Sequence, residues 1–152
     1  MGERLVLLAG VTLGVFVGCQ LTEGFVLVPY WRALAPSDFL SWYAANDRRL
    51  YGFFGVVTVV TLAVVLLAAA AAVWTAMPGR WAMLTAALVY VAIVAMFPLY
   101  FAQANASFAA GTIAREMVPA ELARWAWWHG VRTAASVFAL ALAMLAAWRA
   151  RM

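Results

Sequence analysis

The chain has 152 residues, of which 68% are hydrophobic and 11% charged, with a formal net charge of +4. A soluble domain carries about 25% charged residues, so a soluble globular fold is excluded. Arginine supplies all the basic charge, which suits anionic lipid headgroups; no basic cluster with interleaved aromatics points to nucleic acid.

Four apolar runs lie near Leu5–Leu27, Tyr51–Met77, Ala82–Phe108 and Trp128–Trp148. Each is long enough for a membrane helix, which needs about 20 residues to cross about 30 Å of hydrocarbon. Strand-like alternation is absent, and helices are then the only way to satisfy the backbone in lipid. The expectation is an all-α membrane protein, a single domain over residues 1–152. Its fold is a four-transmembrane-helix up-and-down bundle with a short interfacial helix between helices 1 and 2.

At the start, Arg4, the apolar Leu5–Val17 and Val17-Gly18-Cys19 resemble a lipoprotein signal with its lipidated cysteine. We expect this stretch to be retained as helix 1, over residues 5–27, with Cys19 inside it. A single cysteine permits no internal disulfide. Gly10, Gly14 and Gly18 form a double G-x-x-x-G, a flat stripe along which another helix can pack closely. Pro29 is expected to end the helix region. Pro36-Ser37-Asp38 then marks a helix start, with Ser37 as cap and Asp38 favouring the first turn. Phe39, Tyr43, Asn46 and Leu50 follow at helical spacing, so residues 36–50 are expected to lie on the membrane surface, as an anchor or as a lid.

Helix 2 (51–77) and helix 3 (82–108) are joined by M-P-G-R-W, a tight turn that makes them antiparallel neighbours. Pro119 suits the first turn of helix 4, over 119–148. That helix is about 45 Å long, so its first turns must stand in the headgroups or beyond. Counting back from Trp148 puts His129 near the interface, with Trp125, Trp127 and Trp128 in an aromatic belt. The termini share a side with the Arg80 turn, and their short basic tails place that side in the cytoplasm. The lysine-free, alanine-rich composition points to a bacterial cytoplasmic (inner) membrane.

Polar residues inside a membrane are costly, so the place where they gather is the best functional pointer. Cys19, Gln20 and Glu23 lie near the end of helix 1, and Gln103, Asn105 and Ser107 near the end of helix 3. His129, Arg132, Thr133 and Ser136 open helix 4. An up-and-down bundle brings these ends together, so one cluster is expected at its mouth, floored by Thr58 and Thr61. Three readings stay open. A Glu23–Arg132 pair, with Asn105 and Gln103, staples helix 1 to helix 4; Arg132 snorkels to the interface; or the cluster is a site. As a site, His129 with Glu23 would act as a base and its orienter. Arg132 and Asn105 would then hold the resulting oxyanion, with Gln20 and Gln103 among the substrate contacts. One histidine, one cysteine and one interior glutamate are a thin ligand set, so neither a metal nor a cofactor is expected.

The glycine-striped first helix ends in F-V-L-V-P, and L-A-P-S-D-F and Asn46 follow. The third helix ends in Q-A-N, and W-H-G-V-R-T precedes the last apolar run. This layout resembles the anthrone oxygenase-like family of small four-helix membrane proteins over nearly the whole chain. The most specific element is W-[H or N]-x-x-R-T at Trp128, His129, Arg132 and Thr133, and Asn46 and Asn105 match asparagine positions. The resemblance implies a cofactor-independent oxygenase acting on an anthrone or polycyclic phenol, whose carbanion reacts with O₂ to give a quinone and water. It implies that Trp128, Thr133 and Asn46 line the substrate, and that His129, Arg132 and Asn105 serve as base, oxyanion partner and orienting amide. The chain departs from the family at C-Q-L-T-E (residues 19–23), so Glu23 has no family support.

Two other classes compete. A non-catalytic accessory subunit, contacting partner membrane chains or its own copies, would fill the space between the helix ends with side chains. A quinone- or lipid-binding protein would use Trp125, Trp127 and Trp128 as a platform. An enzyme would show a roomy pocket between the far ends of helices 1, 3 and 4, roofed by residues 36–50.

Overall fold

A computed structural model describes residues 2–152. Four long helices run up and down: α1 (Gly2–Ala33), α2 (Pro36–Trp74), α3 (Arg80–Ala109) and α4 (Val118–Arg149). All four are long and apolar enough to cross a membrane, which makes this an integral membrane protein of the expected all-α class. In the bundle, α1 and α3 each pack against both α2 and α4.

Two expectations about the helix breaks need correction. Pro29 does not end α1, which continues to Ala33 after a π turn at Glu23–Leu27. A matching π turn at Phe97–Phe101 holds Pro98 within α3. Proline cannot donate to the carbonyl four residues back and crowds it, and a widened turn beside each proline absorbs that mismatch. Residues 36–50 are helical, but they run without a break into the second apolar run as one 39-residue helix. They extend α2 rather than forming a separate interfacial helix. No glycine or proline interrupts them, and the Asn46 side chain donates back to the Trp42 carbonyl at 2.8 Å. Nor is Ser37 the cap: Leu34 and Ala35 are extended ahead of Pro36, which takes the first helical position.

The bundle's level in a membrane can be read from its outer surface. Trp74 (91% exposed), Trp81 and Trp148 ring the end that holds the termini. About 20 residues along each helix, one hydrocarbon thickness, lead to Phe25, Phe53, Leu99 and Trp127, all exposed. Beyond that second girdle, the last turns of α1 and α3 and the first turns of α2 and α4 project into the headgroup layer.

Two apolar cores result, and they differ in kind. In the membrane half, Ala68, Ala69, Ala72, Ala86, Ala87, Ala139, Ala143 and Ala146 let the helices approach closely. In the projecting half, Trp31, Phe39, Tyr43, Phe101, Phe108 and Trp125 form a ring cluster with centroids 5.0–6.1 Å apart. Rings wedge helices apart where alanines draw them together, so the bundle opens toward its projecting end. Residues 11–23 of α1 and 81–93 of α3 repeat one register of buried and exposed positions, in which Gln20 corresponds to Tyr90 and Glu23 to Ile93.

The α2–α3 turn shows how tight the narrow end is. Gly79 has φ +84°, and a Cβ there would stand 2.9 Å from the Ala146 carbonyl oxygen and 3.2 Å from the Arg149 Cβ. We expect Gly79→Ala to cost at least about 1–2 kcal/mol, the penalty of a side chain in the left-handed region, plus the backbone clash. Reversible unfolding of the detergent-solubilised protein by a denaturing surfactant measures that loss directly.

Candidate functional site

Four polar side chains meet between the two apolar cores, where α1 enters its π turn and α4 passes beside it. Gln20, Glu23 (6% exposed) and His129 (3% exposed) are buried, and Arg132 joins them from the next turn of α4. Arg132 Nη2 shares its two hydrogens among three acceptors, Gln20 Oε1 at 3.0 Å, Glu23 Oε2 at 3.2 Å and His129 Nδ1 at 3.1 Å. The other face of the guanidinium lies over the Phe101 ring, 4.3 Å from its centroid.

These contacts fix the state of His129. Its Nε2 is 2.9 Å from the Gln20 backbone carbonyl, which only accepts, so Nε2 carries the hydrogen. Nδ1 is then the lone-pair nitrogen and accepts from Arg132, so the ring is neutral. Glu23 Oε2 stands 3.4 Å from the same Nδ1, and the guanidinium lies between the two acceptors. Trp125 stacks on the imidazole at 5.1 Å with an 11° tilt, and Thr133 Oγ1 donates to the His129 carbonyl at 2.9 Å. Across the ring, a Cβ on Gly24 would stand 3.1 Å from Nε2. Glycine at that position is what lets α1 come close enough for the bond to Gln20.

Beside this layer lies a cavity of about 720 Å³, lined by residues of all four helices. Glu23, Arg132, Tyr43 and Asn105 supply polar atoms at its inner end, with Trp125 and Phe101 as ring walls. Asn105 Oδ1 accepts from Trp125 Nε1 at 2.9 Å, which leaves the Nδ2 group as the donor open to a ligand. The guanidinium Nε of Arg132 is buried and donates to no protein atom. That atom is enclosed by protein, so Arg132 reaches the cavity through other atoms of its side chain.

The structure therefore divides the candidate residues. Glu23, Arg132 and Asn105 line the cavity, and Gln20, His129 and Thr133 stand behind them in the polar layer. His129 does not line the cavity, and both its ring nitrogens are engaged, so its geometry is that of a support rather than of a free base. Four further residues lie apart from the layer. Gln103 and Ser107 border a separate, smaller pocket with Glu121 and Arg124. Trp128 packs on Tyr100 and Trp127, while Asn46 bonds within its own helix. Thr58 lines the cavity, but Thr61 is buried in the bundle and donates to the Thr12 carbonyl at 3.3 Å. Trp125 is not a belt residue: it is 2% exposed, whereas Trp127 at 62% fits that role. Tyr43, Asp47, Arg48 and, Thr58 apart, the α2 wall from Leu50 to Val59 were missed, and the wall offered no sequence signal because apolar cavity lining and lipid-facing surface read alike. Among the described residues, no three His, Cys, Asp or Glu side chains come together as a metal site.

No family model, curated protein or solved structure matches the chain in comparisons with known proteins.

The Glu23–Arg132 pair can be tested for what it does to stability. Removing one member leaves the other charge unpaired among buried groups, a loss of about 3–5 kcal/mol for a broken buried pair. Removing both should be far less costly than the sum of the two single losses. We expect Glu23→Ala and Arg132→Ala each to lower unfolding stability in detergent, and the double variant to recover much of it. Additive losses in that cycle would mean the two side chains do not act as a pair.

Proposed function

We propose that the protein is a membrane-embedded oxygenase-like enzyme of a bacterial cytoplasmic membrane. Its substrate is an apolar anthrone or polycyclic phenol, oxidised by O₂ without a cofactor. The observation that carries this reading is the cavity whose lining holds a buried carboxylate and a guanidinium side by side.

The division of labour follows from the contacts. Of the two carboxylates that line the cavity, Glu23 and Asp47, Glu23 is the buried one beside Arg132, so it takes the base's role that the sequence assigned to His129. When Glu23 accepts a proton from the substrate, the negative charge moves onto the substrate oxygen, and Arg132 keeps an anionic partner throughout. No net charge is created or lost in the apolar interior, which is the condition under which such a transfer is cheapest. Asn105 Nδ2 is a second donor for the same oxygen. His129 acts through Arg132: its Nδ1 and the Gln20 side chain hold the guanidinium in place. The carbanion then reduces O₂; one oxygen atom becomes the new carbonyl and the other leaves as water, so that CH₂ and O₂ give C=O and H₂O.

A second reading rests on the same cavity: binding of a quinone or lipid with no turnover. A purely structural accessory subunit is less well supported, because close packing would have filled this space.

The test uses the purified protein in lipid nanodiscs with anthrone and O₂. Oxygen uptake should match quinone formation one to one. Glu23→Gln should lower kcat at least about 100-fold, the usual share of a general base, while the substrate still binds. His129→Asn should cost less than Glu23→Gln. Binding of the quinone without any oxygen uptake by the unsubstituted protein would favour the second reading instead.

A further inference from the structure

The cavity does not close above the polar layer on every side. Its lining includes exposed residues of α2 and α3, among them Arg48, Tyr51, Gly52, Val59, Pro98 and Ala106, so it reaches the outer surface between these two helices. At Gly52 and Gly55 an added Cβ would meet no atom within 4 Å, so nothing occupies the gap there. The π turn holding Pro98 borders the other side of the opening.

The depth of the opening matters. Gly55 stands about 28 Å along α2 from Trp74, and Pro98 about 26 Å along α3 from Trp81, at 1.5 Å per residue. The opening therefore runs from the far edge of the hydrocarbon, at Gly55 and Pro98, into the headgroup layer, where Asp47, Arg48 and Ala109 line it. The cluster of Trp31, Phe39, Tyr43 and Phe108 fills the projecting end of the bundle beside it. Between the opening and the Glu23–Arg132 pair the walls are Phe54, Ile93, Val94 and Phe97. Thr58 interrupts them, but its hydroxyl already donates to the Phe54 carbonyl at 2.7 Å.

We infer that the ligand is a bilayer-dissolved amphiphile, a phenol or quinone bearing a flexible apolar chain, which comes in sideways between α2 and α3. Its oxygen meets Arg132 and Glu23, and its chain lies along the gap at Gly52 and Gly55 with the far end in lipid. The inference rests on the proposed reading of Glu23 and Arg132 as the oxygen's site. Three features favour a chain over a compact polar molecule. Glu23 and Arg132 lie at the inner end, the walls between are apolar, and the opening at Gly55 and Pro98 faces lipid, with Asp47 and Arg48 on its headgroup side. The volume, about 720 Å³, lies in the upper half of the roughly 300–1,000 Å³ usual for drug-sized ligands, leaving room beyond a ring system.

The test is photolabelling in nanodiscs with a phenol whose decyl chain ends in a diazirine, mapped by mass spectrometry. On the unsubstituted protein, labels should fall on α2 between Tyr51 and Val59 and on α3 between Pro98 and Ala106. Gly55→Trp should reduce that labelling at least tenfold. Labels spread evenly over all lipid-facing surfaces, or unchanged in Gly55→Trp, overturn the inference. A chain-free phenol, 2-naphthol, reports on the oxygen site separately. If Arg132→Gln abolishes 2-naphthol binding while Gly55→Trp leaves the chain probe's labelling intact, the sideways route alone is wrong. If Arg132→Gln leaves both probes bound as before, the oxygen-site reading fails, and this inference with it.

Discussion

A guanidinium that cannot shed its proton, placed on a membrane helix, is the constraint around which the upper half of this bundle is arranged. Arg132 must be met by an anion or by lipid headgroups, and in this fold it is met by Glu23 at 3.2 Å. Holding that pair requires α1 and α4 to approach closely at one level, and several features serve that approach. Gly24 leaves space for the imidazole, Gln20 contributes both its side chain and its carbonyl, and Trp125 backs His129 from the other side. The histidine's neutral tautomer follows from the same geometry.

The room beside the pair comes from how the helices are packed. Alanines draw the membrane half of the bundle tight, while the rings of the projecting half hold the helix ends apart. The transition between these two modes falls at the level of the polar layer. A site at that depth is dry enough for an ion pair to matter and close enough to the surface for Arg132 to be tolerated. It is also why α2 is so long: its first turns form one side of the ring cluster above the lipid, and its middle turns form the cavity wall.

Much of this was legible in the sequence, for physical reasons that differ from residue to residue. Four apolar runs of membrane length leave helices as the only option, so the architecture could be read directly. Glu23 and Arg132 stood out because charge in lipid demands a partner, and helix direction alone brought them to one end. What could not be read was the course of the chain at its prolines. Pro29 looks like a helix end, and only the packed bundle shows that a π turn carries α1 past it, as another does at Pro98 in α3. Rotation about each helix was also hidden. Gln103 and Asn105 are two residues apart, and that angle sends one to a separate surface pocket and the other to the cavity. Trp125 and Trp127 part in the same way, one into the core and one toward lipid.

The shared register of α1 and α3 makes the two helices near equivalents in packing, yet the position that holds Glu23 on one holds Ile93 on the other, and both line the cavity. Two walls built to one pattern thus differ where charge is concerned: one carries a carboxylate, the other a branched alkyl group. The chamber is polarised from side to side although the packing around it repeats.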